Sequence, residues 1–535
     1  MKKLKVWIPL LFALVMIVGM LIGYRLYKNT NTNGFFKTRK IDRVQEVVDL
    51  VNMKYVDQVN TDSLSEEAIN GVLSHLDPHS YFIPADDREE MNEDLQGNFE
   101  GIGVEFQIIN DTVNITYVMS NGPSDKAGLQ VGDKFIKVND SLVAGNGITT
   151  DRIKKFLRGP GASKVTITLL REAKLLPVEV TRGTIPLLSV DAAYMLDKET
   201  GYIRLNKFSR TTYGEFMEAM EKLQQKGLQK LVLDIRGNGG GIVDEAVDIA
   251  DEFLDNDKLI VYTEGRKSPR REYRAQKPGL FENGKLVLLV DEGTASASEI
   301  LTGALQDWDR ATIIGRRTFG KGLVQEPFQL SDGSELRLTV ARYYTPIGRS
   351  IQKPYNKGHD IYNEEVFERF HDGEVIHGDT SSTHAGPVFK TKGGRIVYGG
   401  GGITPDIFVG LDTNDLAKTV TGLYINGTLS KFTYDYYVQH MAGFKQFKDP
   451  ASFAAGFHED EKIWNNLVSY AAKDSINIHH ISPADKTILQ DRMKALFARL
   501  IWRTEGYYEI SNASDPVVKK AMELMDNKIA MPKLQ

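Results

Sequence analysis

Leu231-Val232-Leu233-Asp234-Ile235 runs directly into Arg236-Gly237-Asn238-Gly239-Gly240-Gly241. The first five residues are apolar except for Asp234, the pattern of a short strand buried on both faces. The glycines permit a tight turn, and a helical pattern continues to Leu254. Residues 285–290 form a second buried run, followed by a helix from about 296 to 308, and 311–314 form a third. Upstream, 201–205 reads as a strand. Strands alternating with helices imply right-handed crossovers and a largely parallel core sheet.

Other regions surround this α/β core, placed at 183–411. Residues 96–182 are β-rich, with short apolar runs separated by turn clusters and one helix ending at Gly159-Pro160. Residues 412–535 read as mostly helical. Within the core, 352–400 is a polar excursion carrying four of the ten histidines. Residues 29–95 comprise an Asn/Thr linker at 29–33 and a helical lead-in over 41–85, stopped by Leu76-Asp77-Pro78. Residues 1–28 hold Lys2, Lys3 and Lys5, then 19 uncharged residues at 6–24. That run is near the roughly 20 residues a membrane helix needs and lacks an Ala-x-Ala-like cleavage site. It therefore reads as a transmembrane signal anchor. The fold class expected is α/β multidomain: transmembrane helix, helical lead-in, inserted β-rich module, α/β core and helical C-terminal region.

The chain is 535 residues long, enough for three or four units, and contains no cysteine. That excludes thiol nucleophiles, thiolate metal sites, disulfides and a lipid-modified cysteine anchor. Covalent catalysis would have to use Ser, Thr, Lys or a carboxylate. A net charge of −5 gives no polybasic signature, so no nucleic-acid partner is expected.

Three loops could carry chemistry. The Gly-rich turn at 237–241 presents backbone N–H groups that suit an anion or oxyanion. It is also readable as a mere tight turn, and Ile242 stands where a dinucleotide fingerprint has its last glycine. Thr294-Ala295-Ser296-Ala297-Ser298-Glu299 exposes a serine at a helix start, where the dipole stabilises negative charge. The same residues read equally as an N-cap box, Ser296 with Glu299. Gly315-Arg316-Arg317-Thr318-Phe319-Gly320-Lys321-Gly322 nearly matches a phosphate-binding loop. It has Gly322 where Ser or Thr would hold magnesium, and an extended segment follows where a helix is needed. What remains is Lys321 between glycines, either an exposed turn residue or a buried amine with a lowered pKa. The histidines show no metal spacing, and neither metal nor cofactor is expected.

Taken together, the chain resembles the carboxyl-terminal processing peptidases (tail-specific proteases). The likeness runs from about 41 to 410. It rests on Leu76-Asp77-Pro78-His79-Ser80, Gly101-Ile102-Gly103-Val104, the 233–241 block, the 294–299 block, and Thr318-Phe319-Gly320-Lys321-Gly322 with Val324-Gln325. Five blocks in the right order are specific where any single one is weak. The resemblance implies a serine endopeptidase with Ser296 as nucleophile and Lys321, 25 positions on, as general base. It implies that Gln325 orients the lysine. The oxyanion hole would be the Ala297 N–H with an N–H of Gly239 or Gly240.

The resemblance also makes 96–182 a PDZ-like domain. Its loop of Gly101, Ile102, Gly103 and Val104 would hold a substrate's C-terminal carboxylate, with Ile153 helping to line an apolar pocket. The implied partners are protein substrates taken by their C-termini, and the membrane through the N-terminal helix. Self-association and an adaptor protein are left open. The implied location is a bacterial inner membrane, single-pass, with the catalytic domain in the periplasm. The rival reading is a catalytically inactive PDZ scaffold that binds protein C-termini.

Overall fold

The structure, a computed structural model, describes residues 4–29, 43–255, 257–378, 386–411, 418–458 and 461–526. The linker beyond Asn29 and His384 of the polar excursion lie outside the described residues. The described residues fall into two compact units, one up to Leu76 and one from Asp77 onward.

In the first unit, Leu4–Asn29 is one helix of 26 residues. The transmembrane expectation requires correction: among the described residues no helix is long and apolar enough to cross a membrane. The lead-in forms helices Arg43–Lys54 and Thr61–Leu73.

The second unit is built on a six-stranded sheet in the order Val190–Met195, Thr200–Leu205, Lys230–Asp234, Lys285–Val290, Thr312–Gly315, Ile407–Phe408. The first pair is antiparallel and the remaining pairs are parallel. The pleat explains the unbroken apolar strands. Leu231 and Leu233 face helices Thr212–Gln225, Val243–Asp251 and Ala297–Asp307. Val232, Val287 and Leu289 face the opposite way, against Val517, Val518, Ala521, Leu524 and Met525. Successive residues of a strand point to opposite faces, so a sheet covered on both sides needs apolar residues at every position. The second cover comes from Pro516–Met525, the last helix described.

A five-stranded antiparallel sheet lies beside this core and was not expected from the sequence. It comprises Tyr81–Ile83, Leu259–Glu264, Arg271–Arg274, Leu323–Gln329 and Glu335–Tyr344. Residues 81–83, expected within the helical lead-in, pair with Glu335, Leu336 and Arg337 instead. The β-rich module is an antiparallel sheet in the order Val104–Ile109, Thr112–Val118, Lys134–Val138, Lys164–Arg171, Lys174–Thr181, with helix Thr150–Leu157 packed on it. The ribbon Asn98–Gly101 with Gly183–Pro186 joins it to the core. The C-terminal helices share an aromatic core of Phe432, Phe444, Phe453, Phe457 and Phe497.

Leu524 is 2% exposed at the centre of the second cover. Leu524→Ala should cost roughly 2–5 kcal/mol of stability. Denaturant unfolding measures it, and an unchanged midpoint would mean the last helix is dispensable to the sheet.

Candidate active site

Two turns at the C-terminal ends of neighbouring strands are fastened together. The Thr294 hydroxyl donates to the Ile235 carbonyl at 3.0 Å. The Asp291 carboxylate accepts the Gly237 N–H at 2.7 Å. The Ala295 N–H and the Ser298 hydroxyl both donate to the Asn238 carbonyl, at 3.0 and 2.9 Å. The serine turn is therefore set against the Gly-rich turn.

Ser296 is half-buried with φ 57° and ψ −118°. Side-chain-bearing residues rarely adopt such a backbone, and it costs about 1–3 kcal/mol unless the surroundings hold it. Gly240 packs directly on it: a Cβ there would lie 2.8 Å from the Ser296 Cβ and 2.9 Å from the Ala297 nitrogen. Among the described residues, neither the Ala297 nor the Gly239 N–H finds an acceptor. The Gly240 N–H donates to the Asn238 side-chain oxygen at 2.9 Å.

Lys321 lies on the turn between Thr312–Gly315 and Leu323–Gln329. Arg369, 3% exposed, clamps this turn by donating to the carbonyls of Arg317, Thr318 and Phe319 at 3.1, 2.9 and 3.3 Å. Arg369 belongs to helix His359–His371, so the polar excursion is a brace for the lysine turn rather than a detached loop.

Glu299 joins the serine and lysine turns. Its carboxylate is fully buried and accepts four hydrogen bonds. They come from the N–H groups of Ser296 (3.0 Å), Gly320 (2.8 Å) and Lys321 (2.8 Å), and from the Thr318 hydroxyl (2.5 Å). The buried Tyr343 hydroxyl works from the other side. It donates to the Lys321 carbonyl and lies 3.1 Å from the Ser296 carbonyl. The backbones of Ser296 and Lys321 are thus tied through both their N–H and C=O groups.

The electrostatics favour a neutral amine. Burial lowers the Lys321 pKa below its usual 10.5, and the Arg337 charge adds to the effect, while Glu299 and Asp77 oppose it. Burial pushes the Glu299 carboxyl up to about 7, against the four donors that favour its charged form. His79 is held down at about 4 by burial and by the charge of Lys321, so it is neutral at pH 7. Its Nε2 is 2.7 Å from the Tyr362 hydroxyl.

Gln325 does not meet Lys321 in a hydrogen bond. Its amide nitrogen donates at 3.4 Å to the Leu323 carbonyl and to the Thr339 hydroxyl. Thr339 donates in turn to Asp77 at 2.8 Å. In the β-rich module, the Ile102 and Gly103 carbonyls accept N–H groups of Ser124 and Met119, each at 3.0 Å. Val104 opens a strand paired along one edge only among the described residues. Ile153, expected on the pocket wall, is 0% exposed and belongs to the core of the module.

Residues 199–360 match the family model "Peptidase family S41". Residues 115–171 match a PDZ domain, 25–87 the "Activating protease CtpB N-terminal domain", and 419–503 a family of unknown function. A "Probable CtpA-like serine protease" of Staphylococcus aureus is 35% identical over 357 residues, covering 65% of this chain and 71% of its own. The chain belongs to the carboxyl-terminal processing peptidases of family S41. A relative of the same name from Staphylococcus epidermidis is 33% identical over 360 residues, covering 65% of this chain and 72% of its own. Among solved structures, the photosystem II D1 C-terminal processing protease is 27% identical. It covers 71% of this chain and 88% of its own, with a TM-score of 0.35. The chain is thus a serine protease carrying a PDZ domain.

Glu299 was legible in the sequence only as the far half of a cap box. Its hold on the lysine turn, 21 and 22 residues downstream, is a tertiary contact with no local signature. Glu299→Gln should turn an amide donor toward N–H groups and cost about 1–3 kcal/mol of stability. The peptidase rate should fall at least about tenfold, since 1.4 kcal/mol of barrier is a factor of ten. Paired unfolding and turnover measurements check it, and unaltered turnover would remove Glu299 from the site.

Proposed function

We propose that Ser296 is the nucleophile and neutral Lys321 its general base in hydrolysing peptide bonds of proteins presented by their C-termini. The observation that carries this reading is the double tie of the Ser296 and Lys321 backbones through Glu299 and Tyr343. The Lys321 amine takes the hydroxyl proton as the serine oxygen attacks the carbonyl carbon. The resulting ammonium gives that proton to the leaving amine as the C–N bond breaks. The Lys321 amine then takes a proton from water, whose oxygen attacks the acyl carbon, and the ammonium returns that proton to the Ser296 oxygen as the C–O bond breaks and the acid leaves. The Ala297 and Gly239 N–H groups are the oxyanion donors, a choice supported by their lack of acceptors among the described residues and by the engagement of Gly240 with Asn238. Gln325 supports the lysine at one remove, through Thr339 and Asp77.

The PDZ domain receives the substrate's terminal carboxylate at 101–104, and the substrate adds as a strand along Val104–Ile109. The edge of that strand that no described residue pairs with supports this reading. The catalytic unit acts outside the cytoplasm, with residues 6–24 as the membrane-associating segment. The support is the lysine-then-apolar pattern and the exposed Trp7, Phe12 and Met20.

Ser296→Ala and Lys321→Ala should each abolish cleavage of an unstructured protein with an apolar C-terminus while the unfolding midpoint stays within experimental error. Cleavage by either variant would sink the pair. Activity should rise with pH as Lys321 loses its proton, along a limb below the ordinary lysine pKa of 10.5. Arg337→Gln removes a charge that favours the neutral amine, so the limb should move to higher pH. Asp77→Asn should move it lower. Shifts of opposite sign, read from kcat/KM against pH, are the expected signature, and an unmoved limb in both would exclude Lys321 as the titrating base. Amidating a substrate's C-terminus should weaken its binding, and equal affinity for acid and amide would count against the PDZ role.

A further inference from the structure

The antiparallel sheet beside the core carries an open pocket of about 440 Å³. Its walls include Arg266, Leu323, Thr339, Arg342, Tyr344 and Tyr355. Leu323 is two residues past Lys321 and pairs across the sheet with Arg342. Arg342 in turn adjoins Tyr343, whose hydroxyl meets the Lys321 and Ser296 carbonyls. Leu323 and Gln325 are two apart on one strand and so share a face. The Gln325 amide reaches Thr339, which also borders the pocket. The pocket therefore opens on the face of the sheet that holds the neighbours of Lys321.

Its outer wall is the tip of the hairpin that joins Leu259–Glu264 to Arg271–Arg274. Gly265 and Ser268 close the tip by donating to each other's carbonyls, at 2.8 and 3.2 Å. A Cβ at Gly265 would collide with the Val340 carbonyl oxygen, so the tip lies directly on the strand that carries Arg342. The Tyr262 and Tyr344 rings stack with centroids 4.9 Å apart, and the Arg270 guanidinium lies 3.8 Å from the centre of Tyr262. These contacts fix where Arg266 leaves the backbone.

Charge distinguishes this pocket. Elsewhere around the catalytic turns the arginines hold carboxylates: Arg236 with Asp234, Arg316 with Glu292, Arg317 with Glu374, Arg337 with Glu335. Among the described residues Arg266 meets no carboxylate, and Arg342 donates only to the neutral Tyr355 hydroxyl, at 2.9 Å. Glu264 also borders the pocket, across the sheet from Arg342 but not ion-paired with it. Two guanidiniums thus stand against one carboxylate, and a planar donor fork suits a second carboxylate.

We propose that Arg266 and Arg342 form a substrate subsite that takes an acidic side chain flanking the scissile bond. This rests on the Ser296–Lys321 reading given above and adds a preference within the cleaved segment. Two residues of strand are about 7 Å, so an extended peptide attacked by Ser296 places the acidic residue within about three positions of the cleaved bond. The substrates favoured are proteins with Asp or Glu in that stretch.

The test uses the full chain and pairs of internally quenched peptides with one common apolar, free C-terminus. Members of a pair differ only in Glu or Gln at one position, scanned over that range on either side of the scissile bond. At one position the Glu peptide should show a kcat/KM about fivefold or more above its Gln partner, the upper range for an exposed ion pair. Both members use the same Ser296 and Lys321, so effects on the base cancel in the ratio. Arg266→Gln combined with Arg342→Gln should bring the ratio to about one. Arg342→Lys should keep part of it, and Arg342→Glu should favour a Lys peptide over the Gln one. A ratio of one at every position in the wild type overturns the subsite, as does a ratio that survives in the double variant. So does a rate that follows the distance from the scissile bond to the terminal carboxylate but ignores Glu, which assigns the pocket to that carboxylate instead. If the wild type cleaves no peptide, the Ser296–Lys321 reading fails and peptide binding by fluorescence anisotropy decides the subsite. It stands if the Glu peptide binds more tightly than the Gln peptide, and falls if the two bind equally.

Discussion

The buried carboxylate of Glu299 is shared between two turns that belong to different strands of the sheet and are far apart in sequence. Every polar neighbour that faces it is a donor: the N–H groups of Ser296, Gly320 and Lys321, and the Thr318 hydroxyl. A carboxylate without water needs its lone pairs filled, and N–H groups at turns need acceptors. Each need is met only if the serine and lysine turns meet. The strained backbone of Ser296, the glycine at 240 and the clamp by Arg369 are then consequences of one shared constraint.

The elements that look peripheral serve the same constraint. Helix His359–His371 supplies Arg369 to three successive carbonyls of the lysine turn. Asp77, from the segment that enters the second unit, receives hydrogen bonds from Ser80 and Thr339 and bears on the charge state of Lys321. The last described helix covers the far face of the core sheet and places Asp515 on Arg236, next to the Gly-rich turn. The C-terminal helices also reach the PDZ domain, through Tyr434 on the Ile115 carbonyl and Arg503 on Glu105.

Much of this was readable in advance where the signal was local. Apolar strands ending in Gly-rich or small-residue turns announced a parallel sheet, because the pleat of a doubly covered strand demands apolar residues on both sides. The antiparallel sheet was missed. Its strand at 335–344 alternates polar and apolar residues over 335–340, but 259–264 does not, and their pairing joins segments about 80 residues apart. The excursion at 352–400 shows in sequence only its polar composition, which names no partner for its charges. In the fold they are paired, Glu374 with Arg317 of the lysine turn and Lys353 with Glu365. The N-terminal apolar run has the composition of a span, yet no described helix meets that requirement.

The sequence by itself determined the chemistry available: no thiol, a serine at a helix start, a lysine between glycines, and backbone donors in a glycine turn. These follow from residue type and short-range geometry, which a chain carries before it folds. Only the tertiary structure decided which of them act together. Glu299 changed from a cap residue into a bridge to the lysine turn, and Gln325 turned toward Thr339 rather than Lys321. Such assignments depend on hydrogen-bond partners brought in from remote segments, and spacing along the chain does not encode which partner a buried donor will meet.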